Sequence, residues 1–308
     1  MYNGFINVLK PTGMTSNDVV GKLKYLARKH LGEKLKFGHT GTLDPNAAGV
    51  MMVCCGRATK FSQYAVEKKK TYIAEITFGK TTDTMDTYGQ VTEERESSVL
   101  LPERIEEVLS AYRGETMQIP PKYSAIKING QKLYDLARKG ADIPEIKPRR
   151  IEITKLETIS YLHPCLKIEV ECSAGTYIRS LAQDIGEDLG ELSHLSLLIR
   201  TKVEDFAIED SFSIEEIEEL ISQGRFSEVL TGTEKILSRY PEAVIKNGSQ
   251  KAYMNGVIIT QEGMLAQIKK DMPDSRYKVY NENGEFLGIG NIWKNQNSDY
   301  VLKSETQI

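Results

Sequence analysis

Two spacings of apolar residues divide the chain into elements, and the places where one gives way to the other mark the joints. Gly4 to Lys10 has the short apolar run of a strand and stops at Pro11, which cannot donate to a ladder. Thr15-Ser16-Asn17-Asp18 then supplies capping residues for a helix whose Val19, Leu23 and Leu26 share one face, the other face being basic. From Lys70 to Gly79 aromatic and β-branched residues predominate, which predicts a strand with Tyr72 near its start. Pro102 opens a helix with a stripe of Ile105, Val108, Leu109 and Tyr112, and Gly114 falls where a C-terminal cap belongs. Leu166, Ile168, Val170 and Cys172 alternate with Lys167, Glu169 and Glu171, the period of a strand buried on one side. A helix follows from about Tyr177 to Leu189, and Ser213 with Glu216 forms a capping box ahead of Ile214, Ile217, Leu220 and Ile221. Strands and helices at irregular spacing predict an α+β fold around a mixed, largely antiparallel sheet.

The pattern changes after about Thr233. Short β-like pieces, Ala243 to Lys246, Val257 to Thr260 and Tyr277 to Tyr280, are separated by glycine and asparagine and suggest a small β-barrel. Asn283-Gly284 predicts a two-residue hairpin turn with positive φ at both positions. A chain of 308 residues exceeds what one core usually serves, so two domains are expected, 1–233 and 234–308. Pro120 to Arg150 has no long apolar run and carries Lys127, Lys132, Arg138, Lys139 and Lys147. It reads as an excursion from the core, either a plain surface loop or a basic, partly helical flap.

Composition narrows the class. With 40% apolar and 27% charged residues the chain is that of an ordinary globular protein. The longest apolar run, Val50 to Cys55, is far short of a membrane helix, and the N-terminus lacks a signal pattern. No membrane association and a cytoplasmic location are therefore expected. Cys54, Cys55, Cys165 and Cys172 show no C-x-x-C spacing, and His30, His163 and His194 share no metal-like spacing, so neither zinc nor disulfides are implied. A net charge of −3 argues against indiscriminate coating of nucleic acid. Basic residues nevertheless cluster at Lys22, Lys24, Arg28, Lys29, Lys34 and Lys36, at Lys68 to Lys70, and at Lys147, Arg149 and Arg150, while acids gather between Glu204 and Glu219. Charge permits an RNA partner without requiring one.

The densest segment is Gly38-His39-Thr40-Gly41-Thr42-Leu43-Asp44-Pro45, followed by Ala47-Ala48-Gly49 and the apolar run. Little side-chain bulk surrounds Asp44, and the following proline pushes it toward extended geometry, so its carboxylate sits at a rigid turn entering a buried strand. On spacing alone a turn residue is the stronger reading, since Asp is a common turn former.

The motif alters that balance, because these eight residues resemble the catalytic motif of the TruB-type tRNA pseudouridine synthases. Four further segments agree in order. Asn7-Val8-Leu9-Lys10-Pro11 with Gly13 and Thr15-Ser16 resembles the family's opening motif, and Lys69-Lys70-Thr71-Tyr72 the segment carrying its active-site tyrosine. Gly175-Thr176-Tyr177-Ile178-Arg179-Ser180-Leu181 resembles the arginine-bearing motif, and Leu198-Ile199-Arg200-Thr201 the last pocket-forming piece. The resemblance spans about residues 4 to 212, and five ordered matches are far more specific than any single glycine-rich pattern.

The resemblance implies an isomerase that needs no cofactor or metal and converts a uridine in the T-loop of tRNA to pseudouridine. It implies Asp44 as the essential carboxylate, Arg179 as its partner, Tyr72 against the flipped uracil and Leu198 as an apolar wall. Tyr177 and Lys60 match further active-site positions, and His39 would contact RNA where the base leaves its stack. The excursion at about 120–150, with Ser124-Ala125-Ile126-Lys127 and Leu133-Tyr134-Asp135-Leu136-Ala137-Arg138-Lys139-Gly140, resembles the thumb by which stand-alone members grip the T-arm. Guide-RNA-dependent relatives lack that insert, so no guide RNA is expected, and a monomer fits the family. The C-terminal residues occupy the position of the family's PUA-like RNA-binding domain. Three rivals remain: a guide-dependent synthase, an RNA chaperone acting through the same cleft as a main or added role, and a metal-dependent nuclease using Asp44, Asp83 and Asp86.

Overall fold

The computed structural model describes residues 2–66, 69–124, 126–128, 130–138, 145–265 and 275–308. The strands of the larger unit are β1 (Gly4–Lys10), β2 (Phe37–His39), β3 (Ala48–Cys55), β4 (Lys70–Phe78), β5 (Lys80–Thr82), β6 (Val91–Glu94), β7 (Gly114–Gln118), β8 (Lys127–Ile128), β9 (Gln131–Lys132), β10 (Arg149–Leu162), β11 (Cys165–Cys172), β12 (Ser193–Val203) and β13 (Phe206–Ala207). Those of the smaller unit are β14 (Glu242–Ile245), β15 (Ile259–Thr260), β16 (Ser275–Asn281), β17 (Phe286–Lys294) and β18 (Tyr300–Gln307). The helices are α1 (Ser16–Leu31), α2 (Ser62–Val66), α3 (Pro102–Ala111), α4 (Leu133–Arg138), α5 (Ile178–Asp188), α6 (Ile214–Ser222), α7 (Thr233–Ile236) and α8 (Asn247–Met254).

Among the described residues a nine-stranded sheet runs β1-β3-β12-β4-β11-β10-β7, with β2 added to β3 and β13 to β12. Every pairing is antiparallel except β3 with β12, so the sheet is mixed and largely antiparallel, as expected. The apolar run of β3 has a simple cause. Met51, Val53 and Cys55 face a core shared with α1, α3, α5 and α6, while Val50, Met52 and Cys54 face a second core containing Phe61, Tyr64 and Ile289. A strand covered on both faces loses the alternation of a half-exposed one. Each such side chain contributes about 1.5 to 3 kcal/mol when fully buried.

The second core joins the two units. The Phe61 and Phe286 rings lie 5.9 Å apart, the Tyr64 and Thr306 hydroxyls are 2.9 Å apart, and Arg276 lies over the Tyr64 ring. The smaller unit is a curled five-stranded sheet, β14-β16-β17-β18-β15, over its own core of Ile245, Tyr253, Val279, Ile292 and Leu302.

Four expectations are corrected. Gly114 does not cap α3, which ends through Tyr112; with φ 95° it instead opens β7. Asn283-Gly284 is not a two-residue turn. Asn281 Oδ1 accepts the N–H groups of both Asn283 and Glu285, which closes a four-residue loop in which Gly284 alone takes positive φ. Lys70 is no surface cation, being buried with Nζ donating to the Val66 carbonyl, and Lys68 lies outside the described residues. The basic face of α1 is partly neutralised, since Lys29 and Lys22 reach Glu218 of α6 at 3.0 and 3.8 Å. Of the excursion, the described parts include the β8–β9 pairing and α4, a partly helical segment; Ala125, Lys139 and Gly140 lie outside the described residues.

The parallel crossing of β3 and β12 depends on Gly49, where φ is 107° and a Cβ would meet the Arg200 carbonyl oxygen at 2.2 Å. Gly49→Ala is expected to cost about 3 kcal/mol or more through backbone strain and collision, read as a lower urea midpoint. An unchanged midpoint would show that the crossing yields freely.

Candidate active site

Asp44 is held by its neighbours on both sides. The Ser16 hydroxyl, at the start of α1, accepts the Leu43 N–H at 2.9 Å and lies 3.0 Å from the Leu43 carbonyl, to which it donates. The Pro45 carbonyl accepts the Gly13 N–H at 2.8 Å, and the Ala47 N–H closes a turn onto the Asp44 carbonyl at 3.1 Å. Lys10, 0% exposed, ends β1 beneath this turn and donates from Nζ to the carbonyls of Pro11, Pro45 and Ala47 at 2.8, 3.2 and 2.6 Å. Arg200 braces the other side. Its Nε donates to Val50 O at 2.6 Å and its Nη2 to Gly41 O at 3.3 Å.

The Asp44 carboxylate meets Arg179, whose Nε lies 2.9 Å from Oδ2. Arg179 side-chain exposure is 7%, yet 37% of Asp44 is open through the mouth of a cleft, so the carboxylate is crowded by protein and still reachable. The remaining guanidinium nitrogens donate to Thr84 O at 3.2 Å and Tyr123 O at 2.9 Å. Burial pushes the Asp44 carboxyl above its ordinary range and Asp86 adds to this, against the attraction of Arg179 and Lys10. Burial likewise pushes the Lys10 ammonium down to about 8, with Asp44 opposing.

The expected site residues do not all gather here. Asp44, Arg179 and Leu198 line the cleft together, with Asp86, Leu197 and the 70% exposed Tyr88 also lining it. Tyr72 lies behind, buried in the helical core; burial raises its phenol, with Arg200 the main opposing charge. Tyr177 caps α5 two residues before Arg179, and its phenol senses both Arg179 and Asp44. His39 ends β2 as the chain enters the Asp44 loop; burial and Arg200 lower its pKa, which favours the neutral ring, and Nδ1 has no partner among the described residues. Lys60 is set apart from this group, exposed at the junction of the two units with Nζ donating to Gln307 O at 3.2 Å.

Of the acids suggested for a nuclease, Asp83 accepts the Gln90 N–H and Asp86 accepts the Thr84 hydroxyl and Tyr88 N–H, which shapes the turn after β5. Among the described residues no three metal-ligating side chains cluster. Sequence reasoning did not single out Lys10 or Arg200 as site residues, and it raised Asp86 only as an acid of the nuclease reading. Lys10 and Arg200 left a faint signal, a lysine closing a largely apolar strand before proline and an arginine inside a pocket motif.

The model of the TruB family pseudouridylate synthase N-terminal domain matches residues 28–178. A tRNA pseudouridine synthase B of Caldanaerobacter subterraneus subsp. tengcongensis is 44% identical over 289 residues, 94% of each chain. The chain belongs to the TruB pseudouridylate synthase family. The tRNA pseudouridine synthase B of Clostridium kluyveri agrees, 40% identical over 301 residues and 98% of each chain. A solved Cbf5-Nop10-Gar1 complex matches with TM-score 0.73 at 24% identity, covering 98% of this chain and 83% of that one, and shares the fold. This TruB family member is a pseudouridine synthase, an isomerase acting on RNA. Among the described residues no helix is long and apolar enough to cross a membrane.

If the ionised carboxylate is the reacting form, activity falls as pH drops through a pKa above the ordinary aspartate value of about 3.9. Arg179→Ala removes the largest opposing charge and should move that acid limb further up. The activity loss should reach about 2 to 4 kcal/mol, below the figure for a fully buried pair because solvent reaches Asp44. A pH–rate profile of both proteins measures this, and an unmoved limb in the variant would break the assigned pairing.

Proposed function

We propose that this pseudouridine synthase isomerises a uridine in the T-loop of tRNA, with Asp44 as its essential carboxylate. The observation that carries the reading is the Asp44–Arg179 pair at 2.9 Å in a cleft with Leu198 on one wall. The relatives named tRNA pseudouridine synthase B supply tRNA as the substrate class. Uridine in a structured loop reaches such a cleft only by leaving its stack, which an apolar slot favours. The N1–C1′ bond then breaks, the uracil turns, a C5–C1′ bond forms, and the proton lost from C5 is balanced by one gained at N1. One carboxylate can serve this by attack at C1′, by attack at C6, or by removing a ribose proton.

The surrounding residues have distinct tasks. Arg179 keeps negative charge on Asp44 against the pull of burial. Tyr72, buried behind the cleft with its phenol raised by burial, is assigned to the inner end of the slot, where it would meet a fully inserted base and hold or pass a proton. Leu198 walls the slot, Tyr88 offers a face at its mouth, and His39 and Tyr177 flank the approach. Lys60, at the junction of the two units, serves the RNA backbone rather than the base. The exposed Lys147 and Arg149 offer cationic contacts at the sheet edge, and the C-terminal sheet extends the RNA-binding surface.

Incubating wild type and Asp44→Asn with unmodified tRNA, without guide RNA or metal, and mapping pseudouridine by position tests the reading. T-loop pseudouridine with wild type alone, at equal tRNA binding by both, is expected. Modification only with an added guide RNA would favour the guide-dependent alternative, and equal activity of the variant would remove Asp44 from the chemistry.

A further inference from the structure

Gln118 ends β7, 4% exposed, and makes two hydrogen bonds to one residue of another element. Its Nε2 donates to the Tyr177 carbonyl at 3.0 Å, and its Oε1 accepts the Tyr177 N–H at 2.8 Å. The side chain thus imitates one rung of a β-ladder across 59 residues of sequence. Tyr177 is the N-cap residue of α5, has no side-chain cap bond, and precedes Arg179 by two positions.

Next to this rung the same two stretches are tied again. The Ser180 hydroxyl donates to Ile119 O at 2.9 Å, and Arg179 Nη2 donates to Tyr123 O at 2.9 Å. A helix whose first turn is held at its backbone presents its next side chains in one direction, and a glutamine amide can satisfy a backbone donor and acceptor at once. An apolar residue of the same length would leave the Tyr177 N–H without a partner, while the carbonyl would keep only the Leu181 N–H, 3.1 Å away.

We propose that Gln118 is a positioning residue for the isomerisation, its paired bonds to the Tyr177 backbone fixing the first turn of α5 so that Arg179 meets Asp44. Gln118 itself touches neither Asp44 nor substrate, and the inference rests on Asp44 being the reacting carboxylate. The charges and phenols that face Asp44 are Arg179 from α5, Asp86 from the turn after β5, Lys10 from β1, Tyr72 from β4, and Tyr177. Of these, Arg179 and Tyr177 lie on the segment that Gln118 holds. Loosening it withdraws a cation from Asp44, whereas Lys10 and Asp86 stay in place.

Gln118→Met keeps length and removes the amide; Gln118→Asn keeps the amide and shortens its reach. With tRNA as substrate, each variant should lose at least tenfold in single-turnover rate, bind tRNA within about twofold of wild type, and show an acid limb displaced upward. A purely structural role would lower the rate in proportion to unfolded protein, read from the urea midpoint, and leave the limb in place. That result, or a wild-type rate and limb in either folded variant, overturns the proposal. Asp44→Asn run alongside separates the two readings: full activity there sinks the assignment of Asp44 and this inference with it, while an inactive Asp44→Asn beside a wild-type-like Gln118→Met sinks the Gln118 inference alone.

Discussion

Two buried cations spent on backbone carbonyls hold the loop that carries Asp44, and the rest of the cleft is arranged around that loop. Lys10 gives all three of its donors to the carbonyls of residues 11, 45 and 47, and Arg200 gives two of its own to residues 41 and 50. Hydrogen bonds from charged groups contribute about 1.5 to 3 kcal/mol each, more than neutral ones. Burying these cations has a cost, visible in the Lys10 ammonium being pushed down to about 8. The result is a loop pinned at both ends, so that the backbone at Asp44 has little freedom to turn.

Arg179 completes the frame by joining segments far apart in the chain. It touches Asp44, the turn at Thr84 and the root of the excursion at Tyr123, three directions that a planar guanidinium can serve together. A lysine ammonium is a point charge on a flexible stem and would not reproduce that fork. The carboxylate pair with Asp86 nearby gives this geometry its electrostatic purpose. With burial and a second acid both raising the Asp44 carboxyl, an accurately placed cation is the main force favouring its ionised form.

Legibility in the sequence followed the physical cause of each feature. Elements with one wet and one dry face showed their period directly, as in α1, α3, β11 and α6, and the caps at Thr15 and Ser213 are hydrogen-bonded as their residue types predict. Features decided by tertiary contact were hidden. Asn281 overrode the local hairpin signal by capturing two backbone N–H groups, and Gly114 became the start of a strand because the neighbouring strand β10 pairs with it. At the site, the motif around Asp44 and the arginine at 179 were legible through resemblance. Lys10 and Arg200 were not, because a buried cation facing carbonyls looks in sequence like any charge at the end of a strand. Lys60 was assigned by motif to the active site and stands at the junction of the two units, a place set by the packing of the C-terminal sheet.

The charge distribution explains how a chain of net charge −3 can face a polyanion. Glu218 of α6 draws Lys22 and Lys29 into pairs, and its single negative charge offsets part of the positive field that the sequence of α1 suggests. At the β7–β10 edge Arg150 pairs with Glu115, both exposed, beside the exposed Lys147 and Arg149. Exposed pairs of this kind are weak, and screening by salt weakens them further. A phosphate approaching that edge therefore competes for Arg150 at little cost, whereas Arg179, shielded and committed to Asp44, does not exchange partners so readily. Cations at the surface are left available to the RNA backbone, and the buried ones stay with the loop that carries Asp44.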